Sequence, residues 1–342
     1  MAVIDQEYHK LLNTILKEGF TYEDLNRKGV KRIQIPSYQI KHDFKDGFPA
    51  LSTKEVYFKG AVGELLVFLS GSTELKDLHR NKVRFWDKDA FNFYQKRNPK
   101  ATIEDFKLGV NKHNHIAGDL GKIYPYQLRN WNGEVDQFTN LIDTLRNSPM
   151  ATKKTVTMWN PSLVNGKDMC LSQCHWSFEI LVEPTKDTQN GQSFSGGILD
   201  FSETPSFTKT WEKPKYQFTL KWHQHSVDTF LGLPINIMYY SLMAEIIGKM
   251  TNMIPKGIIG DLSNVHIYEP HLDAVKEQLS RDIYKYGSCQ LTMLDEFHYM
   301  TDEDLIGNLH VGETIDKFRI DMFKLKDYNS YPMIKAEMLA YN

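Results

Sequence analysis

The sequence predicts a mixed α/β fold. Stretches with apolar residues at helical spacing alternate with stretches in which apolar and polar residues take turns, along all but two parts of the chain. The content of 41% hydrophobic and 25% charged residues is that of an ordinary globular protein, and no apolar run approaches the roughly 18 residues a membrane span needs. The 342 residues suit two domains or one large α/β domain with insertions.

Taken in order, Gln6 to Glu18 carries Leu11, Leu12, Ile15 and Leu16 at helical spacing. Arg32 to Phe44 alternates through Ile33, Ile35, Tyr38 and Ile40 and reads as a strand broken near Pro36. Glu55 to Ser70 reads as a strong helix burying Val56, Ala61, Val62, Leu65, Leu66 and Leu69, and Thr73 to Arg80 as a short second one. The polar stretch from about 92 to 117 lacks periodicity of either kind and reads as an insertion. A helix is expected over Val135 to Asn147 and short strands over Thr155 to Trp159, His175 to Val182 and Tyr216 to Lys221. The connection at about 183–215 is long for a hairpin and forms the second insertion. Apolar helices are expected over Asn236 to Thr251 and Leu272 to Arg281.

The balance of 41 Lys+Arg against 43 Asp+Glu excludes a broad nucleic-acid-binding surface, though not a local basic pocket. Three cysteines make no disulfide framework and suit a reducing compartment, and the charged amphipathic N-terminus lacks the apolar core of an export signal. A cytoplasmic location is expected.

Three segments carry chemistry. Cys174-His175 stands at a loop-to-strand junction, where a cysteine can serve as a nucleophile; a buried structural cysteine is the competing reading. Cys170 and Cys174 alone do not argue a metal site. The run from Trp222 to Ile237 places a polar stretch after a strand, then a Leu-Gly-Leu-Pro turn, then Asn236 opening an apolar helix. Asn236 could be a plain N-cap, but a buried amide also offers the acceptor and donors that match a pyrimidine edge. His266 and Tyr268 alternate on one strand face, and both can donate to a sugar hydroxyl.

Together with Asp46-Gly47-Phe48-Pro49, Ser52-Thr53-Lys54, Gly63-Glu64-Leu65-Leu66, Phe85-Trp86-Asp87, Gly118-Asp119-Leu120-Gly121, Trp159-Asn160-Pro161 and Tyr331-Pro332, these segments occur in a set order over nearly the whole length. In that order the chain resembles the thymidylate synthase family. The resemblance implies one catalytic domain over 1–342, with a twisted mixed sheet, flanking helices and a homodimer formed through sheet faces. It implies dUMP as substrate, 5,10-methylenetetrahydrofolate as co-substrate, and no metal, membrane or nucleic-acid partner. Cys174, beside His175, would add to C6 of the pyrimidine, and C5 would then attack the one-carbon unit.

The resemblance also assigns roles. Glu64 matches the helix glutamate that organises water and relays protons, Tyr124 the tyrosine near C5, and Trp86 the aromatic residue beside the transferred carbon. Gln224, Ser226 and Asn236 fall in the base-reading segment, and His266 and Tyr268 match the pair on the deoxyribose 3′-hydroxyl. Lys54, Asp228 and Gly232 match positions around the folate. Arg27 matches the mobile-loop arginine that binds phosphate.

Several positions depart from the family pattern. Lys153 and Lys154 stand where two arginines of the partner subunit are expected, with the register open by one residue, and His225 stands where another arginine is expected. Lysine keeps charge but loses the bidentate fork, and histidine is only partly charged near neutral pH. Asp89 replaces a tryptophan of the folate wall, and the tail carries Glu337, Tyr341 and Asn342 where a short apolar tail is expected. Polar groups there favour water as the nucleophile on the transferred carbon. The expected product is therefore 5-hydroxymethyl-dUMP, as in a phage that replaces thymine with 5-hydroxymethyluracil. The alternative is methylation, giving dTMP and dihydrofolate.

Overall fold

A six-stranded sheet runs in the order β1-β2-β6-β5-β4-β3. Its strands are β1 (Phe20–Glu23), β2 (Lys31–Asp43), β3 (Thr155–Thr157), β4 (His175–Pro184), β5 (Tyr216–Asp228) and β6 (Ile254–Tyr268). The computed structural model describes residues 2–24, 29–112, 115–163, 167–186, 214–293 and 311–339. Every neighbouring pair is antiparallel except β5 and β6, which are parallel and so need a crossover. The helix Gly232–Thr251 supplies it. Among the described residues no helix is long and apolar enough to cross a membrane.

Among the described residues the α-helices in chain order are α1 (Val3–Glu18), α2 (Phe58–Ser70), α3 (Leu75–Arg80), α4 (Asp87–Arg97), α5 (Ile103–Asn111), α6 (His115–Gly118), α7 (Tyr124–Arg129), α8 (Gln137–Asn147), α9 (Gly232–Thr251), α10 (Leu272–Leu279) and α11 (Val311–Asp316). Helices α2 and α9 are buried almost all round and pack on each other. Strand alternation turns Phe178, Ile180, Phe218, Leu220, Trp222, Ile258 and Leu262 toward the helices, where all are buried. The other sheet face carries Glu179, Lys221, His223 and Asp261, joined by ion pairs such as Lys221 Nζ to Asp261 Oδ2 at 2.7 Å. Beside them Trp176 and Leu181 are 42% and 43% exposed.

Pairing is interrupted at Pro36, Ser226 and Asn264 with the register unchanged on either side, and β4 shifts register between His175 and Ser177. Ser226 and Asn264 hold φ of 58° and 50°, the left-handed region. Non-glycine residues there cost energy, and such kinks re-aim the side chains around them. The expected break at Pro36 is thus one missing ladder pair, and β2 continues in the same register on both sides of it.

Other expectations shift. The stretch from 92 to 117 is helical over most of its length, within α4, α5 and α6. Thr102 and Asp105 form a capping box, and Phe91 and Phe106 meet at 5.4 Å between ring centroids. Each helix buries only a few residues (Ala90 and Phe93; Phe106, Gly109 and Val110), too few to register as a period. Strand β5 runs on to Asp228, so the polar Gln224–Asp228 stretch lies in the sheet, not after it. Helix α9 opens at Gly232, so Asn236 sits in its second turn and is no N-cap. Most of the second insertion, 187–213, lies outside the described residues.

Glu245, near the middle of α9, is fully buried, and among the described residues neither carboxyl oxygen has a hydrogen-bond partner. Burial pushes its pKa up to about 8, with Lys249 one turn away pulling more weakly downward.

Candidate active site

The start of β4, the ends of β5 and β6, α2 and the start of α9 line a cavity of about 240 Å³. Strand β4 brings Cys174 and His175 to its wall; β5 brings Gln224, Ser226 and Asp228; β6 brings His266 and Tyr268. Helix α2 contributes Glu64, α7 Tyr124, the start of α4 Trp86 and Asp89, and the first turns of α9 Gly232 and Asn236.

Cys174 is partly exposed at the cavity wall, which removes the reading of it as a buried structural residue. Burial holds the other two cysteines as thiols: Cys289 is pushed up to about 11 and Cys170 well above its ordinary value, the latter also by Asp89. The Cys174 backbone N–H donates to the Tyr124 hydroxyl at 2.8 Å. Tyr124 stacks on Phe68 at 5.5 Å, and burial raises its pKa well above that of an ordinary phenol, so the hydroxyl keeps its proton. Glu64 Oε1 accepts from the Trp86 indole N–H at 2.6 Å. Burial pushes Glu64 up to about 7 against that hydrogen bond, so near neutral pH it can give or take a proton. His175 shares a hydrogen bond at 3.0 Å with the Tyr240 hydroxyl, and burial lowers its pKa to about 3, so the imidazole is neutral.

The turn after β5 is held from behind. Asp228 Oδ1 accepts from the backbone N–H of Phe230 at 2.9 Å and of Leu231 at 3.3 Å. The Tyr8 hydroxyl donates to the Thr229 carbonyl at 2.5 Å, and Thr229 donates to the His266 carbonyl. The Lys54 ammonium donates to the Phe230 carbonyl and lies over the Phe230 ring at 3.5 Å. Lys54 is buried and does not line the cavity; desolvation lowers its pKa to about 7. It stands as a post behind the Asp228 turn.

The expected phosphate ligands gather less well. Arg27 lies outside the described residues. Lys153 is exposed, but Lys154 is buried and its ammonium donates to the Pro149 carbonyl at 2.5 Å, so the two do not form a pair. His225 packs edge-on against Trp159 at 5.1 Å, with burial lowering its pKa, and does not line the cavity. Sequence reasoning also missed the apolar part of the wall: Phe68, Phe85, Leu171, Leu231, Tyr239 and Tyr240. Of the tail's described residues, Met338 and Leu339 line the cavity; Tyr341 and Asn342 lie outside the described residues.

The thymidylate synthase family profile matches residues 6–340. The chain belongs to the thymidylate synthase family. It is 32% identical over 339 residues to the thymidylate synthase of Malacoplasma penetrans (strain HF-2), covering 97% of this chain and 99% of that one. It is 32% identical over 333 residues to the probable thymidylate synthase of Escherichia phage T5, covering 97% and 99%. The thymidylate synthase of Enterobacteria phage T4 is 29% identical over 341 residues, with 97% and 99% covered. As a thymidylate synthase family member the chain is a one-carbon transferase that uses 5,10-methylenetetrahydrofolate as co-substrate. The cavity suits such a flat, hydrogen-bonding group: an apolar wall of Trp86, Phe85 and Leu231 faces a region that also holds the Asp228 carboxylate.

Proposed function

We propose that the chain methylates C5 of dUMP, giving dTMP and dihydrofolate. The observation that carries this reading is the wall around Cys174: Trp86, Leu231, Met338 and Leu339 offer an apolar closure that keeps water from the transferred carbon. The names of its relatives support it over the hydroxymethylation expected from sequence. The Cys174 thiolate adds to C6 of the uracil, and the electron density gained at C5 makes that carbon the nucleophile. The co-substrate supplies the one-carbon unit and the hydride. The Tyr124 hydroxyl, oriented by the Cys174 N–H, and Glu64, poised near neutrality, relay the C5 proton away as the carbon's bond to the co-substrate breaks; hydride then reaches the methylene left on C5, and Cys174 leaves C6 as the C5–C6 double bond re-forms. Asn236 meets the base edge, and His266 and Tyr268, with rings 4.7 Å apart, meet the sugar.

A second reading, hydroxymethylation, is favoured by Asp89, a carboxylate in the cavity wall that attracts water. The test is to follow dihydrofolate absorbance and product mass with dUMP and 5,10-methylenetetrahydrofolate. One dihydrofolate per dUMP consumed is expected, with a methyl product. A hydroxymethyl product without dihydrofolate would overturn methylation, and Asp89→Trp should then raise the dihydrofolate yield.

The protein acts in the cytoplasm as a homodimer joined through the sheet face that carries Trp176, Leu181 and the Glu179–Lys221–His223–Asp261 ion pairs. The phosphate is met by Arg27 of the same subunit and by Lys153 of the partner subunit. Mixing a Cys174→Ala chain with a Lys153→Ala chain, followed by subunit exchange, should then restore activity in heterodimers to about one site in two. Verified exchange without recovery would exclude sharing through Lys153.

A further inference from the structure

An asparagine amide reads uracil in only one of its two orientations. Oδ1 must face the N3–H and Nδ2 must face O4; the flipped amide suits cytosine, whose N3 accepts and whose exocyclic amine donates. A buried residue outside the cavity sets this choice. The indole N–H of Trp222 lies 3.3 Å from Oε1 of Gln224, two residues along the same strand face. An indole nitrogen can only donate, so the Gln224 atom facing it must be the oxygen. The same Oε1 lies 3.3 Å from Nδ2 of Asn236. Asn236 must therefore turn its amine to Gln224, leaving Oδ1 and its second N–H for the cavity. Flipping it would press one acceptor oxygen against another in a buried place, which is costly.

We propose that Trp222 is a specificity-positioning residue: its indole N–H fixes the polarity of the Trp222–Gln224–Asn236 chain and so makes the site select uracil over cytosine nucleotides. The proposal rests on the reading of Asn236 as the residue that meets the base edge. Trp222 is well held for such a task. It is fully buried and stacks on Tyr240 at 4.9 Å and 14°. Across the sheet it pairs with Gly260, where an added Cβ would come within 2.4 Å of the indole. The space for the ring exists because residue 260 has no side chain.

The test compares dissociation constants for dUMP and dCMP, measured by calorimetry on the full chain. Four proteins are needed: wild type, Trp222→Phe, a chain carrying 3-benzothienylalanine at 222, and Asn236→Asp. The benzothienyl side chain keeps the shape of the indole and lacks only the donor, so it serves even where Trp222→Phe folds poorly. Both changes at 222 should reduce the preference for dUMP about three- to tenfold, the worth of one neutral hydrogen bond. A purely structural role would weaken both nucleotides alike and leave the ratio unmoved. Asn236→Asp should shift preference toward dCMP. An unchanged ratio with the benzothienyl side chain, alongside a shift in Asn236→Asp, overturns the relay and leaves the base-edge reading standing. No shift in Asn236→Asp overturns both.

Discussion

Cys174→Ser is expected to lower turnover by roughly a thousandfold or more while leaving dUMP binding within a few-fold of wild type. The sulfur reacts as a thiolate, a form that a serine hydroxyl does not approach near neutral pH, so addition to C6 fails even though the cavity keeps its shape. No other cysteine can stand in: Cys170 and Cys289 do not line the cavity, and burial holds both as thiols. The groups proposed to meet base and sugar are on other strands and helices, so binding is expected to persist. Single-turnover kinetics with calorimetry on the same sample separates the two effects. Turnover near the wild-type rate would remove Cys174 from the chemistry.

Glu245→Met is expected to stabilise the fold by about 3 kcal/mol at pH 7 and to remove most of the pH dependence of stability between about 4.5 and 8. The carboxyl sits in the core with no partner among the described residues, so the fold tolerates it best with its proton on. Below pH 4.5 both folded and unfolded chains keep that proton and no ionisation penalty arises. As pH rises, the unfolded chain ionises first while the folded chain does not, so stability falls until the folded group ionises near 8. Methionine matches the unbranched shape and carries no charge. Denaturant unfolding at pH 5 and pH 8 measures the slope directly; equal slopes for the variant and wild type would show that Glu245 bears no such penalty.

Much of this site could be read from residue order. Cys174, Glu64, Tyr124, Trp86, Asn236 and the His266–Tyr268 pair all converge on one cavity, because each stands in a motif whose local spacing survives folding. What escaped depends on orientation in three dimensions. Lys153 and Lys154 are alike as letters, and only strand-like alternation sends one outward and the other onto the Pro149 carbonyl. Lys54 looks like a surface cation until Phe230 closes over it. Tyr240 reads as core in an apolar helix, yet its hydroxyl reaches His175. The tail reads as polar in composition, but among the described residues those of the tail that meet the cavity are Met338 and Leu339. The helices α4 and α5 went unseen because their apolar faces are only a few residues wide.

The pairing of β2 with β6 sets Arg32 opposite Tyr268 and Gln34 opposite His266. The wall that holds His266 and Tyr268 therefore exists only after two parts of the chain distant in sequence have met, and that closure must be completed before any contact rewards it. In a refolding chain the proposed nucleotide site is thus expected to close late, a delay written into the strand order of the sheet.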